Sequence, residues 1–281
     1  MAPQKIRRAI IPAAGYGLRL LPVTRAVPKE LLPVAGKPMI QYAWQEAVAS
    51  GLREIAIVIH PEKEAIRRFF EVRPERLIKD RSWQNLDKEI QALKRQARIT
   101  FFYQPERRGL GQAILCCQDF IKGEPFALLN PDNIYIGPEP CLSLLLKAWS
   151  SLRTSLVLLG RIKKEETNKV AVAKVRPAGH AGLYLIQDLE EKPGPQRAFS
   201  RFGVWGRAVL EPDIMAYLER TEPDPNGEIQ LTDALKLWVR EKPLYGFLCP
   251  FKRLDAGDWP GFYRANFFLR KITRVDQKNF S

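Results

Sequence analysis

The chain has 281 residues, 46% hydrophobic and 27% charged, the balance of a soluble globular protein with a substantial core. Its formal net charge of +14 suits polyanionic ligands or a solvated basic surface, and the basic residues are densest over 63–108 rather than in a tail. The longest apolar runs are far too short to span a bilayer, and four cysteines without C-x-x-C spacing and two histidines disfavour a structural zinc site or a His-based hydrolytic triad.

Residues 6–15, IRRAIIPAAG, read as a strand ending in a loop. The N-terminus MAPQKIRRAIIPAAG has basic residues and then an apolar patch shorter than a signal-peptide core, so a cytoplasmic protein is expected. In PMIQYAWQEAVASG, Ile40, Ala43, Trp44, Ala47 and Val48 fall on one helical face, and Gly51 sits where a C-cap glycine belongs. EIAIVI (54–59) is a continuous apolar run, as expected for a strand buried on both faces. PEKEAIRRFF reads as a helix with Ala65, Ile66, Phe69 and Phe70 inward. RITFFYQ reads as a strand, GQAILCCQDFI as a helix holding buried free thiols, and PFALLNPD as a strand followed by a loop.

Alternating strand and helix predicts a doubly wound, Rossmann-like α/β fold, with ligands beyond the carboxyl ends of the strands. The charged stretch 73–97 interrupts the rhythm as an insertion with one helix around LDKEIQALKRQ. The second half is richer in strands: SLVLLGRI, KVAVAKV, GLYLIQDLEEKP, AFSRFGVWGRAVL and YGFLCPFKRLDAG. Helices are expected at 212–220, at IQLTDALKLWVREK with Leu231, Ala234, Leu235, Trp238 and Val239 on one face, and at 259–272. Neither a repeat nor a linker divides the chain. A single domain with a mostly parallel mixed sheet is expected, its nucleotide-binding half at about 1–150 and the other half at about 151–281.

The loop after the first strand carries the chemistry. Gly15 and Gly17 allow backbone amides to approach phosphate oxygens, although glycines also serve strand-to-helix turns for geometry alone. The dinucleotide fingerprint fails because Leu20 stands where its third glycine belongs, and no Gly-Lys-Ser/Thr follows for a P-loop. Arg19 and Lys29 add fixed cations, while Pro22, Pro28 and Pro33 stiffen the segment and forbid regular helix. Such a stiff cationic loop suits a polyphosphate, because preorganised charge need not reorganise during reaction.

AAGYGLRLLPVTRAVPKELLPVAGKPMIQY (13–42) resembles the signature of the sugar-1-phosphate nucleotidyltransferases, G-x-G-T-R, then P-K-E/Q-x-L-P, then K-P. YQPERRGLGQAILCC, LLNPDN, EEKP, NGEIQLTDAL and LDAGD resemble that family's later motifs in order, and the 73–97 insertion falls where its uridylyltransferase branch carries one. The resemblance implies the nucleotide-diphospho-sugar transferase type of fold. It also implies Mg²⁺-dependent transfer from UTP to glucose 1-phosphate by direct attack of the sugar phosphate on the α-phosphorus, releasing pyrophosphate.

On this resemblance Ala14, Gly15 and Gly17 hold base, ribose and phosphates, Arg19 grips the leaving pyrophosphate, and Lys29 bridges phosphates with Glu30 beside it. Gln104 and Gly109 recognise the pyrimidine, since an amide offers both donor and acceptor. Asp132 and Asp255 are the metal carboxylates. Glu191 accepts sugar hydroxyls, Lys192 binds the 1-phosphate, and Ala171 lies against the sugar. Asp258 is expected to be a helix N-cap and Glu228 a buttress.

The chain departs from the family pattern at Leu18, where a threonine is usual, at Val170-Ala171 in place of Tyr-Gly, and at Asn133 in place of a second Asp. On that pattern Ala171 would crowd the sugar pocket, which leaves open another sugar 1-phosphate, and Gln104 supports only a pyrimidine preference, which leaves open a thymidylyl donor. Leu18 and Val170-Ala171 also leave open a catalytically impaired homologue that acts as a nucleotide sensor or partner subunit. Specific nucleic-acid binding has no motif to support it. A homodimer or homotetramer is expected from the family.

Overall fold

The computed structural model describes residues 5–72 and 81–278. Strand β1 (Arg8–Pro12) leads into an irregular loop of three one-turn 3-10 helices, then the short pair β2 (Pro33–Val34) and β3 (Lys37–Pro38). Helix α1 (Met39–Ala49) follows, then β4 (Glu54–Ile59), α2 (Glu64–Glu71), α3 (Arg81–Gln96) and β5 (Arg98–Tyr103). Next come α4 (Gly109–Leu115), α5 (Gln118–Ile121), β6 (Phe126–Leu129), β7 (Asn133–Ile136) and α6 (Cys141–Leu152).

The second half holds β8 (Leu156–Arg161), β9 (Val172–Pro177), β10 (Leu183–Glu190), α7 (Gly194–Arg197) and β11 (Phe202–Leu210). It closes with α8 (Ile214–Glu219), α9 (Leu231–Glu241), β12 (Tyr245–Leu248), β13 (Lys252–Asp255) and α10 (Trp259–Lys278).

A nine-stranded sheet runs β5-β4-β1-β6-β11-β8-β12-β10-β9. β5, β4, β1 and β6 pair in parallel; β11 runs against them, β8 and β12 resume the first direction, and β10 is reversed again. β13 pairs with β7 in a separate two-stranded sheet.

Side-chain alternation along the strands builds the two cores. Ala9 and Ile11 of β1 with Ile55, Ile57 and Ile59 of β4 face one layer, beside Trp44 of α1 and Trp149 of α6. Ile10, Ala56 and Val58 face the other, with Ile114 of α4, Leu218 of α8 and Trp238 of α9. A third cluster joins Leu20 and Leu32 of the first loop to Leu254, Ala256, Ala265 and Leu269, and so seats α10 under that loop.

The α1 reading holds in detail. Its five core-facing residues are buried, and Gly51, at φ 91°, closes a Schellman motif in which Gly51 N–H donates to Val48 O and Leu52 N–H to Ala47 O. On α2, Ile66 and Phe70 are buried, but Ala65 is exposed, because Pro61–Lys63 forms a 3-10 turn that rotates the helix start. The run expected as one helix at 111–121 splits into α4 and α5 at Cys116–Cys117, with Cys117 fully buried.

YGFLCPFKRLDAG is two strands in different sheets. Pro250 lacks an N–H and ends β12, and the chain then turns toward β7. Of the 73–97 insertion, residues 73–80 lie outside the described residues. α3 forms the described part and docks through Glu89, whose Oε1 accepts from Lys37 Nζ at 3.0 Å. Among the described residues no helix is long and apolar enough to cross a membrane.

Candidate functional site

β1 and β6 lie side by side in parallel, with β4 on the far side of β1 and antiparallel β11 beyond β6. The strand order therefore reverses between β1 and β6, and a crevice opens at their carboxyl ends. A cleft of about 360 Å³ occupies it, lined by Ala14, Gly15, Arg19, Lys29, Glu30, Gln104, Gly109, Asp132, Ala171, Glu191, Lys192 and Asp255. Those residues come from loops spread along the whole chain. Of the expected site residues Gly17 alone stands back from the cleft lining.

Gly17 has a local task instead. At φ 73° it takes the left-handed turn that starts the first 3-10 helix, and its carbonyl accepts from Thr24 Oγ1 at 2.9 Å. That contact folds the loop back on itself. Leu20, fully buried, anchors it from below, and Trp259 Nε1 donates to Leu21 O at 2.7 Å from α10. Leu18 points out, 65% exposed.

Lys29 is brought to the end of β6, where its Nζ lies 2.7 Å from Asp132 Oδ2. Asn133 Nδ2 donates to the other Asp132 oxygen at 2.8 Å. Burial alone would raise the Asp132 carboxyl, yet Lys29, Arg19 and the Asn133 amide hold it well below the ordinary carboxylate value. Burial likewise lowers Lys29, but Asp132 and Glu30 outweigh it and keep the ammonium raised. The pair is thus fully charged at neutral pH.

Asp255 arrives through the β7–β13 ladder, in which it sits opposite Asn133. Its Oδ2 accepts from Arg253 Nη2 at 2.6 Å. The turn that presents Asp132 is fixed from behind by buried Arg207, which donates to Asn130 O at 2.9 Å, Gly206 O at 2.7 Å and Asn133 O at 2.9 Å. Glu46 balances the Arg207 charge at 2.7 Å.

Gly257 shows how tightly these groups converge. A Cβ there would meet Arg19 Nη2 at 2.8 Å, Asp132 Oδ2 at 2.9 Å and Asp255 Oδ1 at 3.1 Å. The missing side chain leaves a small cradle between two carboxylates and a guanidinium. Two hard anionic oxygens at the cleft fit a divalent cation of the Mg²⁺ type, which takes its remaining ligands from water and phosphate oxygens.

On the β5 side of the cleft, Gln104 Nε2 donates to Gly109 O at 2.9 Å, which fixes the amide plane. Gly109, at φ 84°, lies so close to the 228–229 backbone that a Cβ would fall 2.8 Å from Ile229 O, and the Gly111 N–H donates to that same oxygen at 2.8 Å. The GLG turn is therefore clamped onto the GEIQ segment. That segment does more than act as scaffold, since Glu228, Gln230 and Thr232 also line the cleft.

On the opposite side, Thr232 Oγ1 donates to Glu191 Oε2 at 2.6 Å, while Lys192 Nζ lies 3.0 Å from Glu191 Oε1. Lys192 adopts a left-handed φ of 42°, a conformation that a non-glycine residue avoids unless its surroundings impose it. Ala171 and Val170 line the wall of this half with Trp205, whose indole rests where Gly160 leaves no room for a Cβ. Asp258 caps α10, its Oδ1 accepting from Gly261 N–H at 2.8 Å, as its place in the sequence suggested.

Glu30 lines the cleft but also has a structural partner. Both its oxygens accept from buried Lys63, at 3.1 and 2.9 Å, and Lys63 also donates to Ala13 O at 3.0 Å. Its carboxylate thus fastens the PKE turn to the end of β1. Sequence reasoning passed over Arg107, Lys169, Trp205, Arg253 and Thr232, all of which line the cleft. They are ordinary residue types without diagnostic spacing, although Arg253 stands two residues before Asp255 and Lys169 two before Ala171.

The sequence profile of the nucleotidyl transferase family matches residues 8–272. The chain is 37% identical to the UTP–glucose-1-phosphate uridylyltransferase YngB of Bacillus subtilis, over 94% of this chain and 89% of that one. It is also 37% identical to a UTP–glucose-1-phosphate uridylyltransferase of Pseudomonas aeruginosa, over 94% and 95%. A crystal structure of a UDP-glucose pyrophosphorylase complexed with UDP-glucose superposes with a TM-score of 0.88 at 33% identity, covering 95% of this chain and 99% of the other. The UTP-bound enzyme of Acinetobacter baumannii gives 0.83 at 28% identity, covering 94% and 93%.

Proposed function

The chain belongs to the nucleotidyl transferase family and is a nucleotidyltransferase, and from that premise we propose that it transfers the uridylyl group of UTP to glucose 1-phosphate, yielding UDP-glucose and pyrophosphate with Mg²⁺ as the metal. One observation carries this reading: Lys29, Asp132, Arg19 and Asp255 meet at the β1/β6 switch point around the Gly257 cradle. Relatives that share over a third of the sequence bear the name of that activity.

The chemistry is positioning and charge neutralisation. Arg19 holds the β- and γ-phosphates, the leaving pyrophosphate. Lys29 turns from Asp132 to the phosphates near the α-phosphorus. Asp132 and Asp255 hold the cation, which when bound supplies charge neutralisation on the triphosphate. Gln104 and the Gly109 backbone take the edge of the uracil. Lys192 holds the sugar phosphate, and Glu191, oriented by Thr232, accepts the sugar hydroxyls. The sugar phosphate then attacks in line, without a covalent enzyme intermediate.

Ala171 favours a second reading, the same transfer to another sugar 1-phosphate. Its methyl group sits in the cleft wall where the family pattern has glycine. The experiment is a pyrophosphate-release assay with UTP, dTTP, CTP, ATP and GTP, each against a panel of sugar 1-phosphates with Mg²⁺. UTP with glucose 1-phosphate as the fastest pair supports the first reading, and UTP with a different sugar supports the second. Release with no pair overturns both.

A further inference from the structure

We propose that Arg107 is a positioning residue for the nucleotide: it locks the Ala14–Gly15 peptide in one orientation, steadies the Tyr16 ring, and so sets how sharply the site tells one base from another. The proposal rests on the reading of the cleft as a UTP site.

Arg107 stands in the turn between β5 and α4, with its side chain only 15% exposed. Its Nε donates to Ala14 O at 3.2 Å, and its Nη2 donates to Glu62 Oε2 at 2.6 Å. Its guanidinium carbon lies 4.4 Å from the centre of the Tyr16 ring. One side chain therefore joins the loops that follow β1, β4 and β5, the three that face the cleft on its base side. The anchor is itself held: the Glu62 N–H donates to His60 Nδ1 at 3.1 Å, which leaves His60 Nε2 to donate to Pro105 O at 3.1 Å.

The consequence follows from peptide geometry. Ala14–Gly15 is a trans peptide, so its C=O and N–H point in opposite directions. With Ala14 O fixed by Arg107, the Gly15 N–H is aimed the other way. Among the described residues no acceptor takes that N–H, and Gly15 lines the cleft. A Cβ on Gly15 would have no atom within 4 Å, so no neighbouring group packs against that side of the residue. Glycine leaves the peptide free to rotate, and the arginine removes that freedom before the nucleotide arrives.

Tyr16 needs the same support. It is 54% exposed, lines the cleft, and has the guanidinium stacked on its ring. Arginine can stack and donate from one planar group, which lysine cannot.

The test compares wild type with Arg107→Ala and Arg107→Lys, measuring melting temperature and steady-state kinetics with UTP and CTP at saturating glucose 1-phosphate, and with varied glucose 1-phosphate at saturating UTP. Arg107→Ala is expected to raise KM for UTP about tenfold and to cut the UTP:CTP ratio of kcat/KM about tenfold, while KM for glucose 1-phosphate stays within about twofold. Arg107→Lys keeps the charge and is expected to show the same loss of base discrimination. If Arg107→Ala does not fold, the lysine variant decides by the same readout. An unchanged UTP:CTP ratio overturns the proposal, as does an equal rise in both KM values with a lowered melting temperature. A wild-type chain that turns over no triphosphate instead overturns the UTP reading, a result distinct from either variant outcome.

Discussion

Replacing Gly257 by alanine is expected to cut turnover about 100-fold without unfolding the protein. The residue is not left-handed, so its backbone accepts a side chain. The new Cβ would lie 2.8 Å from Arg19 Nη2 and 2.9 Å from Asp132 Oδ2. Carbon and oxygen prefer a separation nearer to about 3.5 Å, so each group must retreat by roughly half an ångström. Both are ends of side chains, and the fold can yield there at a cost of about 1 kcal/mol, or about 2–4 °C in melting temperature. The active geometry cannot yield so cheaply. Moving Asp132 disturbs its 2.7 Å contact with Lys29 and fills the space between the two carboxylates. A displacement of this order costs about 100-fold in rate. The assays are pyrophosphate release at saturating substrates, a Mg²⁺ titration of that rate, and a melting curve. A Gly257→Ala variant that keeps its rate within about threefold and its Mg²⁺ requirement unchanged refutes the assignment of the cradle.

Three further outcomes are expected. Glu30→Gln leaves Lys63 buried without its counter-charge and is expected to cost about 3 kcal/mol, roughly 10 °C of melting temperature, much of it recovered in the Glu30→Gln/Lys63→Met double variant. Asp258→Ala removes the α10 cap and the Lys169 ion pair, lowering the melting temperature by about 2–4 °C at neutral pH. Burial opposes ionisation of Asp258, but Lys169 and the Gly261 N–H hold its folded-state value below the ordinary 3.8. Its contribution is therefore complete above that value and is lost as the pH falls below it, so the gap between wild type and variant should close on acidification. Leu18→Thr, at an exposed position outside the cleft lining, should leave both melting and kcat/KM for UTP unchanged to within about twofold; a gain of about tenfold would show that the side chain at 18 reaches the phosphates.

Legibility in the sequence followed the range of the forces involved. The β1–α1–β4 unit could be read because its periodicities and its C-cap glycine are local. The alternation of strand and helix gave the parallel half of the sheet for the same reason. The pairing of β13 with β7 was not readable, because it joins segments more than a hundred residues apart and only Pro250 hinted that β12 ends there. The motif residues could be placed at the cleft through the family resemblance, but their partners could not. Nothing in GEIQLTDAL announces that Ile229 receives the GLG turn or that Thr232 orients Glu191. Glu30 is a further case. It lines the cleft as the family pattern expects, but nothing in the sequence announces that its carboxylate is paired with Lys63, a pairing that a buried acid in a tight turn needs to satisfy its charge.

The central claim is that Asp132, charged and paired with Lys29 at rest, is the carboxylate on which nucleotidyl transfer depends. The most direct measurement is pyrophosphate release from UTP and glucose 1-phosphate with Mg²⁺, wild type against Asp132→Ala, alongside circular dichroism of both. The account predicts steady release by the wild type and a loss of at least about 100-fold in a folded variant. An Asp132→Ala protein that folds and releases pyrophosphate at the wild-type rate would contradict it.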